Sequence, residues 1–180
     1  NTLTAKDYAI IATGGEYKNG AALSIPAGTV NITGADDLMV YPREVLVSSW
    51  SEFTAALNGG AKTIILKDNI THDANYELKK DVVIDLNGKS MTLPMINIHN
   101  KTTVKNGTIN GKVYARNNAD IVLDGVTFSG NIVYSAAAEG HLQIQTSCKL
   151  YAKNCVFAAT SVTGNTRPIS CDSGNSSTMK

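Results

Sequence analysis

The alternation of hydrophobic and polar positions changes character twice along this chain. Over residues 1–45, short apolar runs such as "YAIIATGG", "AALSIPAGTVNITGADD" and "LMVYPREV" are split by Gly, Pro and paired Asp, which predicts a small β segment or extended arm. Over 48–60, "SSWSEFTAALNGG", the period becomes helical. Trp50, Phe53 and Leu57 share one face, Ser49 and Glu52 make a capping box, and Gly59 or Gly60 can supply a left-handed stop. Trp50 is expected to pack into the core rather than to offer a platform for a sugar ring. From residue 63 onward the period falls to two, the signature of strands.

Those strands are punctuated at regular intervals. Asp68-Asn69, Asn87-Gly88, Asn106-Gly107, Asp124-Gly125 and Asn154-Cys155 follow one another, counted from their second residues, at steps of 19, 19, 18 and 30. A meander of hairpins places turns about every 8 to 12 residues, whereas a fixed period near 20 built from short β runs predicts a solenoid. Asn and Asp tolerate the left-handed conformation that a sharp corner needs, and stacked Asn side chains can form a ladder. Aligning the units puts Val104, Val122 and Ala152 on one inward track. It also puts Asp85 there, so a one-residue slip is expected, with Leu86 inward and Asp85 outward. A local hairpin pairing Ile84 with Met91 across Asn87-Gly88 is the alternative.

Composition narrows the function classes. Sixteen basic residues stand against fifteen acidic ones and only 17% of the chain is charged, so it has no basic stripe for nucleic acid. No apolar run is long enough to span a membrane. Cys148, Cys155 and Cys171 match no zinc or redox spacing and read as small buried or half-buried hydrophobes. The Asn, Thr, Gly, Val and Ile content fits an all-β chain with many turns.

The amphipathic helix, "AKTIILKDNIT", "VVIDLNGKSMTL" and the corners that follow resemble the pectate-lyase-like right-handed parallel β-helix superfamily. The resemblance covers residues 46–180 and implies a helix capping the first coils of a right-handed parallel β-helix. The layout, with residues 1–45 ahead of the solenoid, is most similar to phage tailspike, fibre and appendage proteins. That resemblance implies a homotrimer at the virion surface, attached to other virion proteins through residues 1–45 and binding a host polysaccharide or receptor. A secreted polysaccharide lyase or hydrolase with catalytic coils beyond residue 180 is one alternative, and a bacterial cell-surface adhesin is another. Ser177–Lys180 can overlay Cys148–Tyr151 without any cap, so the polypeptide is expected to continue past Lys180.

Candidate chemistry concentrates where the 30-residue step exceeds the repeat. Its excess falls in "SAAAEGHLQIQTS", so Tyr134, Glu139, His141 and Gln143 are the candidate ligand-binding residues, with Gln145 nearby. Arg167 in "AATSVTGNTRP" completes the set. Glu139 has no evident carboxylate partner of the kind glycoside hydrolysis uses, and Asp36-Asp37 reads as a plain turn. His72, His99 and His141 are scattered, with no Ser or Cys beside them. No phosphate loop, metal-ligand spacing or cofactor motif is present, so no catalytic residue, metal or cofactor is expected.

Overall fold

The computed structural model describes residues 8–12, 30–31, 38–42, 44–130, 133–134, 140–145, 147–158, 161–162, 168–171 and 178–179. The first three strands, β1 (Tyr8–Ala12), β2 (Val30–Asn31) and β3 (Leu38–Pro42), form a sheet in which β3 runs antiparallel to both others. Then come β4 (Glu44–Val47), helix α1 (Trp50–Asn58), β5 (Thr63–Leu66), β6 (Ile70–Thr71), β7 (Tyr76–Leu78), β8 (Val82–Asp85) and β9 (Ser90–Ile98). The long strands β10 (Thr102–Ala115) and β11 (Asp120–Ser129) lead to β12 (Val133–Tyr134), β13 (Leu142–Ile144) and β14 (Lys149–Lys153). β15 (Val156–Phe157), β16 (Ser161–Val162), β17 (Ile169–Cys171) and β18 (Thr178–Met179) end the series. The described residues are all-β with one helix, and none of their helices is long and apolar enough to cross a membrane.

From β4 onward every strand pairing is parallel. Partners lie about one repeat apart: Thr102 faces Val82 on one side and Ile121 on the other, and Asp120 faces Lys149 across the long step. The hairpin alternative fails on this register. Ile84 is opposite Ile64 and Val104, and Met91 is opposite Ile70 and Ile109; they are not paired with each other.

Among the described residues three ladders result, with β12 and β16 paired apart from them. The first joins β4, β5, β8, the starts of β10 and β11, β14 and β18. The second joins β6, the start of β9, the middle of β10, the end of β11 and β15. The third joins β7, the ends of β9 and β10, β13 and β17. Ile64, Ile84, Val104 and Leu123 line the first ladder's inner side, Ile70, Met91, Ile109 and Phe128 the second's, and Leu78, Ile98, Ala115 and Ile144 the third's. All twelve belong to one buried cluster. Each such side chain larger than alanine contributes about 1.5–3 kcal/mol by leaving water, so the inner columns hold the ladders together.

Asp85 points outward and Leu86 is fully buried, as the slip requires. Val122 departs from its expected inward position: it lies half-buried opposite Thr103, and Leu123 is the residue aligned with Val104.

Helix α1 is capped at both ends by its own sequence. The Ser49 hydroxyl accepts from the Glu52 amide at 3.2 Å, and Glu52 accepts from the Ser48 amide at 2.6 Å, one residue further back than a capping box requires. At the other end Gly60, with φ +82°, bonds to the Leu57 carbonyl while Ala61 bonds to Ala56, the paired bonds of a Schellman stop. Phe53, Ala56 and Leu57 are buried. The parallel sheet begins at β4, ahead of the helix, because Glu44–Val47 pairs in register with Thr63–Leu66.

Candidate functional site

Of the five predicted site residues, the side chains of His141 and Gln143 are described. Glu139 and Arg167 lie outside the described residues, and Tyr134 is placed only through its strand, which pairs Val133–Tyr134 in parallel with Ser161–Val162. His141 is completely buried, its ring 6.0 Å from that of Phe128 and 6.4 Å from that of Phe157. Burial pushes its pKa below the ordinary histidine value and the charge of Lys112 adds to this, against a backbone hydrogen bond at Ser129 that favours the proton. The ring thus packs beside two aromatic residues of the second ladder.

Gln143, by contrast, joins an outward column. Register places Glu77, Asn97, Tyr114, Gln143 and Ser170 one above another on the third ladder. The next position along each chain segment brings His99, Arg116 and Gln145 alongside, their amides bonded to Leu78, Ile98 and Ala115 respectively. Asn97 donates to one carboxylate oxygen of Glu77 at 2.7 Å and the His99 Nε2 contacts the other. Asn117 donates to His99 Nδ1 at 2.7 Å, which leaves the ring proton on Nε2, directed at Glu77. This His99 hydrogen bond is the main reason the Glu77 carboxyl sits below its ordinary pKa. The Arg116 guanidinium lies 4.4 Å from the centre of the Tyr114 ring. Both imidazole nitrogens of His99 are thus engaged, one by Asn117 and one by Glu77.

A groove of about 560 Å³ runs beside this column, between the second and third ladders. Its size falls within the range of small-molecule sites. It exists because the ladders bend there. Leu93 and Pro94 on β9 oppose the single residue Gly111 on β10, a bulge between the pairs Thr92–Asn110 and Met95–Lys112. A Cβ on Gly111 would overlap the Leu93 carbonyl oxygen, so that position stays bare, and Gly130 beyond it adds no side chain either. Thr71, Thr92 and Asn110 form one wall, with the Asn110 amide donating to the Thr92 hydroxyl at 3.0 Å. Among the described lining residues Asp73 is the carboxylate and Lys112 the ammonium. His72 closes one end, its ring parallel to Trp50 at 4.3 Å and 7°, with Tyr76 edge-on to Trp50 at 4.9 Å. Trp50 therefore packs against the core with one ring face on His72.

Sequence reasoning missed this groove, although one signal was present. The second ladder carries the triplets "NIT" from Asn69, "SMT" from Ser90, "TIN" from Thr108, "TFS" from Thr127 and "VFA" from Val156. Each has an inward apolar residue between two outward small ones. Among the described residues no three His, Cys, Asp or Glu side chains come together as a metal site would require. No protein-family model, curated protein or solved structure matches the chain.

Proposed function

We propose that the three ladders are the sides of a right-handed parallel β-helix capped by α1, and that this module binds a host-surface glycan as part of a virion tailspike- or fibre-type protein. The single observation that carries the binding reading is the groove, which crosses four consecutive chain segments near residues 71, 92, 110 and 130. The solenoid reading rests on parallel partners one repeat apart and on three inner columns sharing one core. At roughly 4.8 Å per step such a groove extends about 14 Å along the stack, the dimension of a short oligosaccharide or longer chain laid lengthwise.

The binding reading is preferred because, among the described residues, the groove lining brings together one carboxylate, Asp73, and glycoside hydrolysis uses two. The tailspike context, with trimeric association, residues 1–45 as the attachment segment and a place on the virion surface, follows the layout of the chain.

Retention on an array of bacterial capsular and lipopolysaccharide glycans tests the reading, with Thr92→Trp as the groove-filling variant. Thr92 points outward from a strand, where an aromatic residue is well tolerated, so the fold should survive. The expected result is retention of at least one glycan by the native chain and loss of it in the variant, with an unmoved melting transition. No retention at all would overturn the glycan reading. Sedimentation equilibrium checks the trimer separately.

A further inference from the structure

We infer that the groove takes a neutral, hydroxyl-rich polysaccharide lying along the stacking direction, and excludes acidic ones. The inference rests on the reading of the groove as a glycan site and specifies the chemical class of that glycan.

The charges of the stack are sorted by face. On the first ladder Asp85 pairs with Lys105 at 3.1 Å and Asp124 with Lys153 at 2.9 Å. On the third, Glu77 is engaged by His99 and Arg116 lies over Tyr114. The outward positions of the second ladder, five triplets in succession, carry no charge at all. This face forms the groove's wall through Thr71, Thr92 and Asn110.

An acidic polymer lying in the groove would bring repeated carboxylates against that wall. A charge taken from water without a partner is strongly disfavoured. Lys112 could answer one such group, while Asp73 would repel another. A neutral sugar chain meets no such penalty. Threonine hydroxyls both donate and accept, and the Asn110 amide does both through separate atoms, so sugar hydroxyls of either polarity find partners. Those groups recur at about 4.8 Å along the groove, so each added sugar meets a similar set of partners. At the His72 end, the stack on Trp50 holds the imidazole in one orientation, a fixed polar edge rather than a mobile one.

The test uses the full chain and two sets of probes, neutral polymers (dextran, mannan and cello-oligosaccharides) and acidic ones (hyaluronan, polygalacturonate and polysialic acid). Binding is measured in salt from 0.01 to 1 M, across which the screening length falls from about 30 to 3 Å. The expected result is binding of a neutral series whose affinity rises with chain length, changes less than about twofold over this salt range, and is lost in Thr92→Trp. Acidic polymers binding more tightly, with affinity falling about tenfold or more as salt rises, would overturn this inference while leaving the glycan reading intact. Neutral binding that persists in Thr92→Trp would overturn it as well, because the site would then lie outside the groove. Failure of both sets to bind removes the glycan reading and this inference with it.

Discussion

Asn87-Gly88 and Asn106-Gly107 are the same dipeptide at neighbouring corners, and they do different things. At the first, both residues have positive φ, +50° and +73°, and the Lys89 amide closes onto the Leu86 carbonyl at 2.7 Å. This is the signature of a type I′ turn, the turn of tight hairpins, yet the strands it joins pair with other strands and not with each other. Between the register pairs Asp85–Lys105 and Ser90–Thr108 the first corner holds four residues and the second only two. Asn87-Gly88 is thus a protruding insertion, and a Cβ on Gly88 would meet nothing. At the second corner Asn106 alone is left-handed, at φ +59°, and Gly107 is wedged beneath the insertion. A Cβ there would overlap Leu86 Cβ and lie 2.6 Å from the Lys89 carbonyl oxygen. One glycine is selected by backbone conformation and the other by space.

The largest expected effect separates those two causes. Gly107→Ala should destabilise the fold by about 3 kcal/mol, because its neighbours are a buried side chain and a backbone carbonyl, neither free to move aside. For a chain of this size that corresponds to a melting temperature lower by roughly 6–12 °C. An unchanged transition would mean that the two corners are not stacked as described.

Asn106→Val comes next, at about 2 kcal/mol. A β-branched residue is strained at positive φ, and the Asn106 amide's bond to the Asp85 carboxylate, 3.2 Å, is lost with it. Asn106→Gly isolates the second term: it relieves the strain, so chemical denaturation should show it recovering more than half of the loss. Recovery of nothing would assign the role of Asn106 to its hydrogen bond alone.

The corners also explain how far the sequence could be read. A period near 20 marked by Asn and Gly was legible because a left-handed seat recurs at four of the five corners, Asp68-Asn69 being the exception. The register was harder, because Asn or Gly can occupy that seat. In Asn106-Gly107 the first residue takes it; in Asp124-Gly125 the second does, at φ +65° beside Asn106; in Asn154-Cys155 it is again the first, at φ +53°. Aligning the dipeptides as units therefore misplaced Val122 by one position and sent it inward in place of Leu123. The groove was less legible still. It is shaped by an absent side chain at Gly111 and by residues from four separate segments, and local periodicity reports neither. Gln143 lies in register with Tyr114 on an outward column, whereas the ring of His141, chosen on the same grounds, lies beside Phe128.

A smaller effect is expected at the exposed corner. Gly88→Ala meets no neighbour, so only the left-handed backbone opposes it, at about 1 kcal/mol. Thermal melts of Gly88→Ala and Gly107→Ala side by side give the comparison directly. Equal losses would show that space plays no part at Gly107.

The smallest effect concerns the group that ties the two corners together. The Asp85 carboxylate accepts from the Asn87 amide at 2.9 Å and from the Asn106 side chain, and pairs with Lys105 at 3.1 Å. Burial raises its pKa, but the Asn87 amide, Lys105 and Asn106 together outweigh burial and hold it below the ordinary 3.8. The unfolded chain therefore takes up a proton here before the native one does. The stabilisation is complete above pH 3.8, is lost as pH falls below that value, and is gone once pH drops under the native pKa. Asp85→Asn keeps an acceptor for both corners and removes the charge, so at neutral pH it should cost only about 0.5 kcal/mol, the worth of a partly exposed ion pair. Denaturant titrations at pH 7 and below pH 3.8 should show the native and variant stabilities converging in acid as Lys105 loses its charged partner. A gap that stays constant across that range would mean that the carboxylate's charge does not hold the corners together.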